Sequence, residues 1–278
     1  MKHLLLILLP VLLGLPGLAD DRTIVSLSPA LTEILCFLGG EARLVARSGG
    51  CNYPETVKKL PVAGSLGTPD LERVALSRAG LLLTDHLRNA ALRRSLEELG
   101  VEVQTLPLAR LDDYPAAVTA IGRLLGAEAR AEAEVTRFRN FLAAARKEPD
   151  PTAPKVLFVV WHDPVIAAGG DTFATDYIRL AGGENAASDV RRAYFRPSPE
   201  WVVRHDPDLI VYPGGHGVAD NALPPYWREL RAVRTGALYR PAEADIFFRL
   251  SPRFDRAVAG LESILQDYRR RTRPADRP

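Results

Sequence analysis

The chain has 278 residues, 47% of them hydrophobic and 25% charged, with 36 basic side chains against 34 acidic ones. That balance belongs to globular proteins, and the length accommodates one large or two medium domains with ample core. A net charge of +2, spread evenly, gives no electrostatic reason for a phosphate backbone or an acidic membrane surface as the main partner, so no nucleic-acid role is expected.

Residues 1–19, MKHLLLILLPVLLGLPGLA, open on Lys2 and His3, continue as an apolar run from Leu4 to Leu15, and end on the small residues Gly17 and Ala19. This is the pattern of a cleaved secretory signal peptide. The apolar run, broken by Pro10 and Pro16, is shorter than the roughly 20 residues a membrane span needs. Asp20, not a cysteine, stands directly after Ala19, so a lipid anchor is not expected and the mature chain is expected to be exported and soluble. Cys36 and Cys51 are the two cysteines, an even count in a compartment that permits disulfides. A Cys36–Cys51 bridge is one reading; a core thiol on a helix and a loop thiol are the other.

Residues 23–27 (TIVSL) read as a strand, Ser28-Pro29 as a turn, and ALTEILCFLGG as a helix stopped by Gly39-Gly40. The order returns later, with KVLFVVW (155–161) as a strand and TFATDYIRLAGG (172–183) as a helix closed by a glycine pair. A finer repeat aligns residues 69–85 with residues 197–213: Pro69 meets Pro197, Glu72 meets Glu200, Val74 meets Val202, and Leu81-Leu82-Leu83 meets Leu209-Ile210-Val211. Each copy predicts a short helix opening near a glutamate, then a buried strand. Residues 127–148, rich in Ala, Glu and Arg without Gly or Pro, predict a long helix between the halves, their only covalent connection. The expectation is an α/β fold of two Rossmann-like lobes with central sheets, residues 20–126 and 149–270, joined by this rigid helix with a ligand cleft between them. The basic, proline-containing end, 271–278, is expected to be disordered.

No nucleophile elbow, phosphate-binding loop, dinucleotide fingerprint or C-x-x-C pair is present. His86, His162, His205 and His216 are too scattered to read as a metal site. Aromatic residues instead gather at strand ends and in loops: Tyr53, Trp161, Tyr194-Phe195 and Phe247-Phe248. Loops at the carboxyl ends of strands are where open α/β sheets receive ligands, so these rings would suit a large flat ligand with apolar faces. Glu72 and Glu200 hold the same place in each half; a first-turn carboxylate suits the helix dipole, and two equivalent carboxylates suit a two-fold symmetric basic partner.

With those residues in hand, the sequence resembles the periplasmic binding proteins joined by a single backbone helix, the class III substrate-binding proteins of ABC importers for cobalamin, haem and ferric siderophores. It looks closest to the cobalamin-binding members. The likeness is carried by TIVSLSPALTEILCFLGG, CNYP, LERVALSRAGLLL, GGENA (182–186), PEWVVRHDPDLIV and SPR (251–253). It implies that Tyr53, Trp161, Phe195 and Phe247 or Phe248 line the ligand cleft, and that Glu72 and Glu200 dock on a permease dimer at the inner membrane. Ser65-Leu66-Gly67 and Thr84-Asp85-His86 stand where cobalamin binders carry aromatics, so the apolar wall that Leu66 lines would be thinner, and Asp85, His86 and His162 would make the cleft more polar. The resemblance further implies a monomeric periplasmic carrier with no catalytic residues and no cofactor. Two rivals remain open: a haem or ferric-siderophore receptor using a Tyr or His on iron, or Arg196 and Arg249 on an anionic chelate; and an exported metal-dependent enzyme using the histidines with Asp163 or Asp171.

Overall fold

Each half is built on a parallel sheet whose central strands, Ile24–Ser26 and Leu81–Thr84 in the first and Leu209–Val211 in the second, are buried along their whole length. The computed structural model describes residues 21–87, 89–148, 150–212 and 224–272; the expected signal peptide, His216 and residues 273–278 of the expected tail lie outside the described residues. In the first half β1 (Ile24–Ser26) leads directly into α1 (Pro29–Phe37). The Ser28 hydroxyl accepts the Leu31 N–H, and Pro29 supplies the fixed φ that suits a first helical turn. There follow β2 (Leu44–Arg47), the small antiparallel pair β3 (Gly64–Ser65) and β4 (Thr68–Pro69), α2 (Leu71–Ser77), β5 (Leu81–Thr84), α3 (Ala90–Glu98), β6 (Glu102–Thr105) and α4 (Asp113–Leu125). Strands β2, β1, β5 and β6 form one parallel sheet in that spatial order.

The connecting helix, α5 (Glu128–Ala145), rises about 27 Å. It is shorter than residues 127–148, because the backbone turns extended at Arg146 (ψ 127°). The second half contains β7 (Lys155–His162), β8 (Val165–Ala168), α6 (Phe173–Ala181), β9 (Glu184–Asn185), β10 (Tyr194–Phe195), α7 (Pro199–His205), β11 (Leu209–Val211), α8 (Arg231–Arg234), β12 (Leu238–Tyr239) and α9 (Phe254–Thr272). Strands β9, β7, β11 and β12 run parallel, while β7 folds back through Asp163-Pro164 onto antiparallel β8, to which β10 adds. The expected disorder from residue 271 does not hold for the first two of those residues: α9 continues to Thr272, and Arg271 donates to the Gly236 carbonyl (3.0 Å).

The sequence repeat reappears in three dimensions. Helices α2 and α7 have equal length, and the residue before each, Asp70 or Ser198, accepts the N–H three residues on, from Arg73 or Trp201. Both end on a non-glycine residue in the left-handed region, Arg78 (φ 53°) and Asp206 (φ 32°), and both bury their valine, Val74 and Val202, completely.

The two halves share one apolar core along the seam, where Tyr114 of α4, Phe138 and Phe141 of α5 and Phe254 of α9 meet with ring centroids 4.6–5.7 Å apart. The Phe173 N–H donates to the Ala109 carbonyl (2.6 Å), and Arg110 reaches both the Gly170 carbonyl (2.9 Å) and the Asp176 carboxylate (3.1 Å). The covalent link is therefore not the only restraint on the halves.

The disulfide reading is corrected: Cys36 and Cys51 are both free. Cys51 is fully buried, its sulfur 3.1 Å from the hydroxyls of Thr32 and Ser48, so those bonds occupy it in place of a bridge.

Candidate functional site

The carboxyl ends of the parallel strands point at one cleft. Ser28 stands just past β1, Gly49 and Gly50 past β2, Asp85 past β5 and Leu108 past β6, while Trp161 and His162 close the end of β7; all line a cavity of about 420 Å³. This is the crevice where open α/β sheets take ligands, and its volume falls in the usual range of about 300–1,000 Å³. The β7–β8 hairpin reaches over it because the pairing register shifts between Val159 and Trp161, a bulge that bends the strand. The Trp161 ring is 49% exposed, with the His162 ring tilted beside it (centroids 5.3 Å apart), and its Nε1–H donates to the Asp163 carbonyl (2.8 Å), which holds the indole in place.

The polar groups on the walls are organised in two sets. On one wall the Asp85 carboxylate accepts the Ser28 hydroxyl (3.1 Å) and sits 2.8 Å from His86 Nδ1. Tyr194 faces it from β10: the ring is half-exposed but lies inside the concavity, and its phenol is pushed up to about 12, first by desolvation and second by the Asp85 carboxylate. It remains a hydrogen-bond donor at every physiological pH. At the floor, Arg249 donates to Glu33 (2.8 Å) and to the Gly50 carbonyl (2.9 Å) and lies 3.4 Å from Asp245, which itself accepts from Asn52 (2.5 Å).

The expected ligand residues divide. Leu66, Trp161, His162 and Phe248 are on the cleft wall. Phe195, Phe247 and Tyr53 are not, and His86 stands behind Asp85, over Gly67, where an added methyl would lie 2.5 Å from its Nε2. Phe195 packs edge-on against Trp201 (4.9 Å), because neighbours on a strand face opposite sides and Tyr194 takes the cleft side. Phe247 is 3% exposed and wedged against Gly260, whose hypothetical Cβ would sit 2.6 Å from the ring, while Phe248 packs on Phe158 (5.2 Å) and turns to the cleft. Tyr53 lies in a separate cavity of about 580 Å³ under the Arg253 guanidinium, 4.0 Å from the ring centroid. Arg249, expected to hold an anionic chelate in one rival, has its charge taken up by Glu33 and Asp245.

Asp85 and Tyr194, both named from the sequence, are on the wall, whereas Asn52 and Asp245 are polar wall residues that sequence reasoning did not select. For those two there was no signal, because they are 193 residues apart and meet only in the fold. Glu72 and Glu200 are both exposed on their matched helices, and Glu200 is held below the usual carboxylate range by its own backbone N–H and then by Ser198.

A two-sheet architecture with a connecting helix and a cleft at the strand ends defines a binding protein of the periplasmic class. The profile of the periplasmic binding protein family matches residues 24–243, and the chain belongs to that family, in its class III. Among curated relatives, the vitamin B12-binding protein of Yersinia pestis (strain Pestoides F) is 29% identical over 251 residues, 89% of this chain and 87% of that one. Among solved structures, the periplasmic heme-binding protein RhuT from Roseiflexus sp. RS-1 superposes with a TM-score of 0.76 at 25% identity, covering 90% of this chain and 99% of its own. The periplasmic vitamin B12 binding protein of Vibrio cholerae shares the fold with a TM-score of 0.73 at 23% identity, over 89% and 98% of the two chains.

Proposed function

We propose that this protein captures a cobalamin-type corrinoid in the cleft and delivers it, chemically unchanged, from the periplasm to the ABC permease of the inner membrane. The observation that carries the choice of ligand is the charge of the walls. Asp85 and Asp245 stand on the cleft wall, and Arg249, the one guanidinium among its described lining residues, is already tied to Glu33 and Asp245 and is not offered to an anion. Such a wall opposes the propionates of haem or the carboxylates of an iron chelate and accepts hydrogen bonds from the amide groups that fringe a corrin ring. Trp161 and Phe248 supply apolar surface for the ring faces, and a cleft built on strand ends needs little reorganisation to receive them. The curated vitamin B12-binding relative supports the same ligand.

The test is a calorimetric titration of residues 20–278 with cyanocobalamin, with haem and a ferric siderophore run in parallel. One-to-one binding of cobalamin at micromolar affinity or tighter is expected. Silence with cobalamin and saturation by haem or a siderophore would overturn the ligand assignment and leave the transport role.

One observation favours haem as the second reading. Tyr194 and His162 both present potential iron ligands to the cleft, and the superposed Roseiflexus protein is a heme-binding one. A Soret shift on haem addition that disappears in Tyr194→Phe or His162→Ala would establish it. The enzyme reading has less support: among the described residues no three His, Cys, Asp or Glu side chains gather where they could hold a metal ion.

A further inference from the structure

His162 borders two concavities. Behind the cleft, beyond the turn of the β7–β8 hairpin, lies a basin of about 690 Å³ that shares His162 with it and is edged by Arg196 and Arg228. These arginines come from different segments, one following β10 and one in the 3₁₀ turn Pro225–Glu229, yet they border one hollow. Several arginines elsewhere are tied to carboxylates, as Arg110 is to Asp176, Arg137 to Glu134 and Arg253 to Glu33, and others, such as Arg47 and Arg93, donate to backbone carbonyls. Arg196 and Arg228 have no such partner among the described residues, and both are exposed. Asp163 is the one carboxylate among the basin's described lining residues, so its charge balance is opposite in sign to that of the cleft. Prolines 164, 197, 199, 224 and 225 make much of the remaining wall, and their fixed φ holds the hollow open without ordering cost.

We propose that this basin is an anion subsite, in which Arg196 and Arg228 hold a phosphate or carboxylate substituent that projects past His162 from the ligand in the cleft. The inference rests on the reading of the cleft as a ligand site and adds the part of the ligand that reading leaves unplaced. Guanidinium forks match the oxygens of phosphate and carboxylate groups, and these two give up no ion pair with a described residue to do so. A cleft that prefers neutral amide donors beside a basin that prefers an anion selects a ligand with a donor-rich body and one charged arm, and fixes which way round it lies. Cobalamin has that form, its nucleotide loop hanging from the corrin by a phosphodiester; cobinamide is the same ring without it.

The experiment titrates wild type and Arg196→Gln/Arg228→Gln with cyanocobalamin, dicyanocobinamide and haem at low and high salt, with thermal melting to verify that both proteins are folded. Wild type is expected to prefer cobalamin over cobinamide by about ten- to hundredfold, with the gap closing in the double variant and narrowing at high salt. Arg196→Lys/Arg228→Lys is expected to restore part of the gap. If neither corrinoid binds while haem binds and weakens in the Gln variant, the anion is a carboxylate: the subsite stands and the corrinoid reading falls. If corrinoids bind wild type and the Gln variant alike, the subsite falls and the corrinoid reading stands. Binding of none of the three overturns both.

Discussion

Glu33 of α1 and Arg249, 216 residues apart in the sequence, are joined by a 2.8 Å hydrogen bond beneath the cleft floor. Arg253 grips the same carboxylate through Nε (2.8 Å) and Nη2 (2.5 Å), and the three side chains are 1%, 8% and 12% exposed. Burial alone would lower the Arg253 guanidinium, yet its bond and charge interaction with Glu33 outweigh this and leave it raised. The pair of lobes is thus stapled from within, by a carboxylate on one and two guanidiniums from the other. A buried network of this kind is costly to break, because removing one member strands the others away from water.

Glu33→Ala is therefore expected to destabilise the protein by about 3–5 kcal/mol, more than Glu33→Gln, which keeps acceptor oxygen for the arginines. Equilibrium urea unfolding checks this; a loss below about 1 kcal/mol would mean that water replaces the carboxylate without difficulty.

Trp161 and Tyr53, both expected from sequence to touch the ligand, should behave differently. Trp161→Ala is expected to weaken ligand binding by about tenfold or more, since a large ring face is lost from the wall, while Tyr53→Ala, whose ring packs under Arg253 in another cavity, leaves affinity within about threefold. Calorimetry on the two variants separates the positions, and equal losses would place both cavities in one site.

Glu72 and Glu200 lie on matched exposed helices, away from the cleft walls. The double variant Glu72→Ala/Glu200→Ala is expected to bind ligand as tightly as wild type and to fail in uptake by cells or by permease-containing proteoliposomes. Normal transport would dismiss the docking role.

The Cys36 thiol is pushed up to about 12 from an ordinary 9.0, first by burial and then by Glu41, Cys51 and Glu33. A group whose folded value is raised contributes stability that is fully present below its unfolded value and lost as pH rises through the folded one. Stability is accordingly expected to fall between pH 9 and about 12, and to fall less in Cys36→Ala. At pH 8 Cys36 should alkylate slowly in the native protein, and both cysteines should take up iodoacetamide after denaturation without reductant. Absence of any alkylation under those conditions would demonstrate a bridge.

What the chain determined by itself was local or periodic. Buried apolar runs, Ser28-Pro29 before a helix, glycines after one, and the Asp70/Ser198 caps in matched halves are set by neighbours in sequence, so the α/β class and the duplicated unit were legible before folding. Trp161, His162 and Phe248 could be chosen because strand ends and the loops after them point to the cleft, and Leu66 because the family resemblance places it there. Which of two adjacent aromatics faces inward was not legible: Tyr194 against Phe195 depends on β10 pairing with β8, and Phe247 against Phe248 on the approach of Gly260 in α9. The tertiary structure alone decided that Glu33 pairs with Arg249 and Arg253, that Asn52 meets Asp245, and that Asp85 and Asp245 line the cleft while Arg196 and Arg228 edge the basin. Charge in a site is a sum over groups brought together from distant segments, and no pattern within one segment carries that sum.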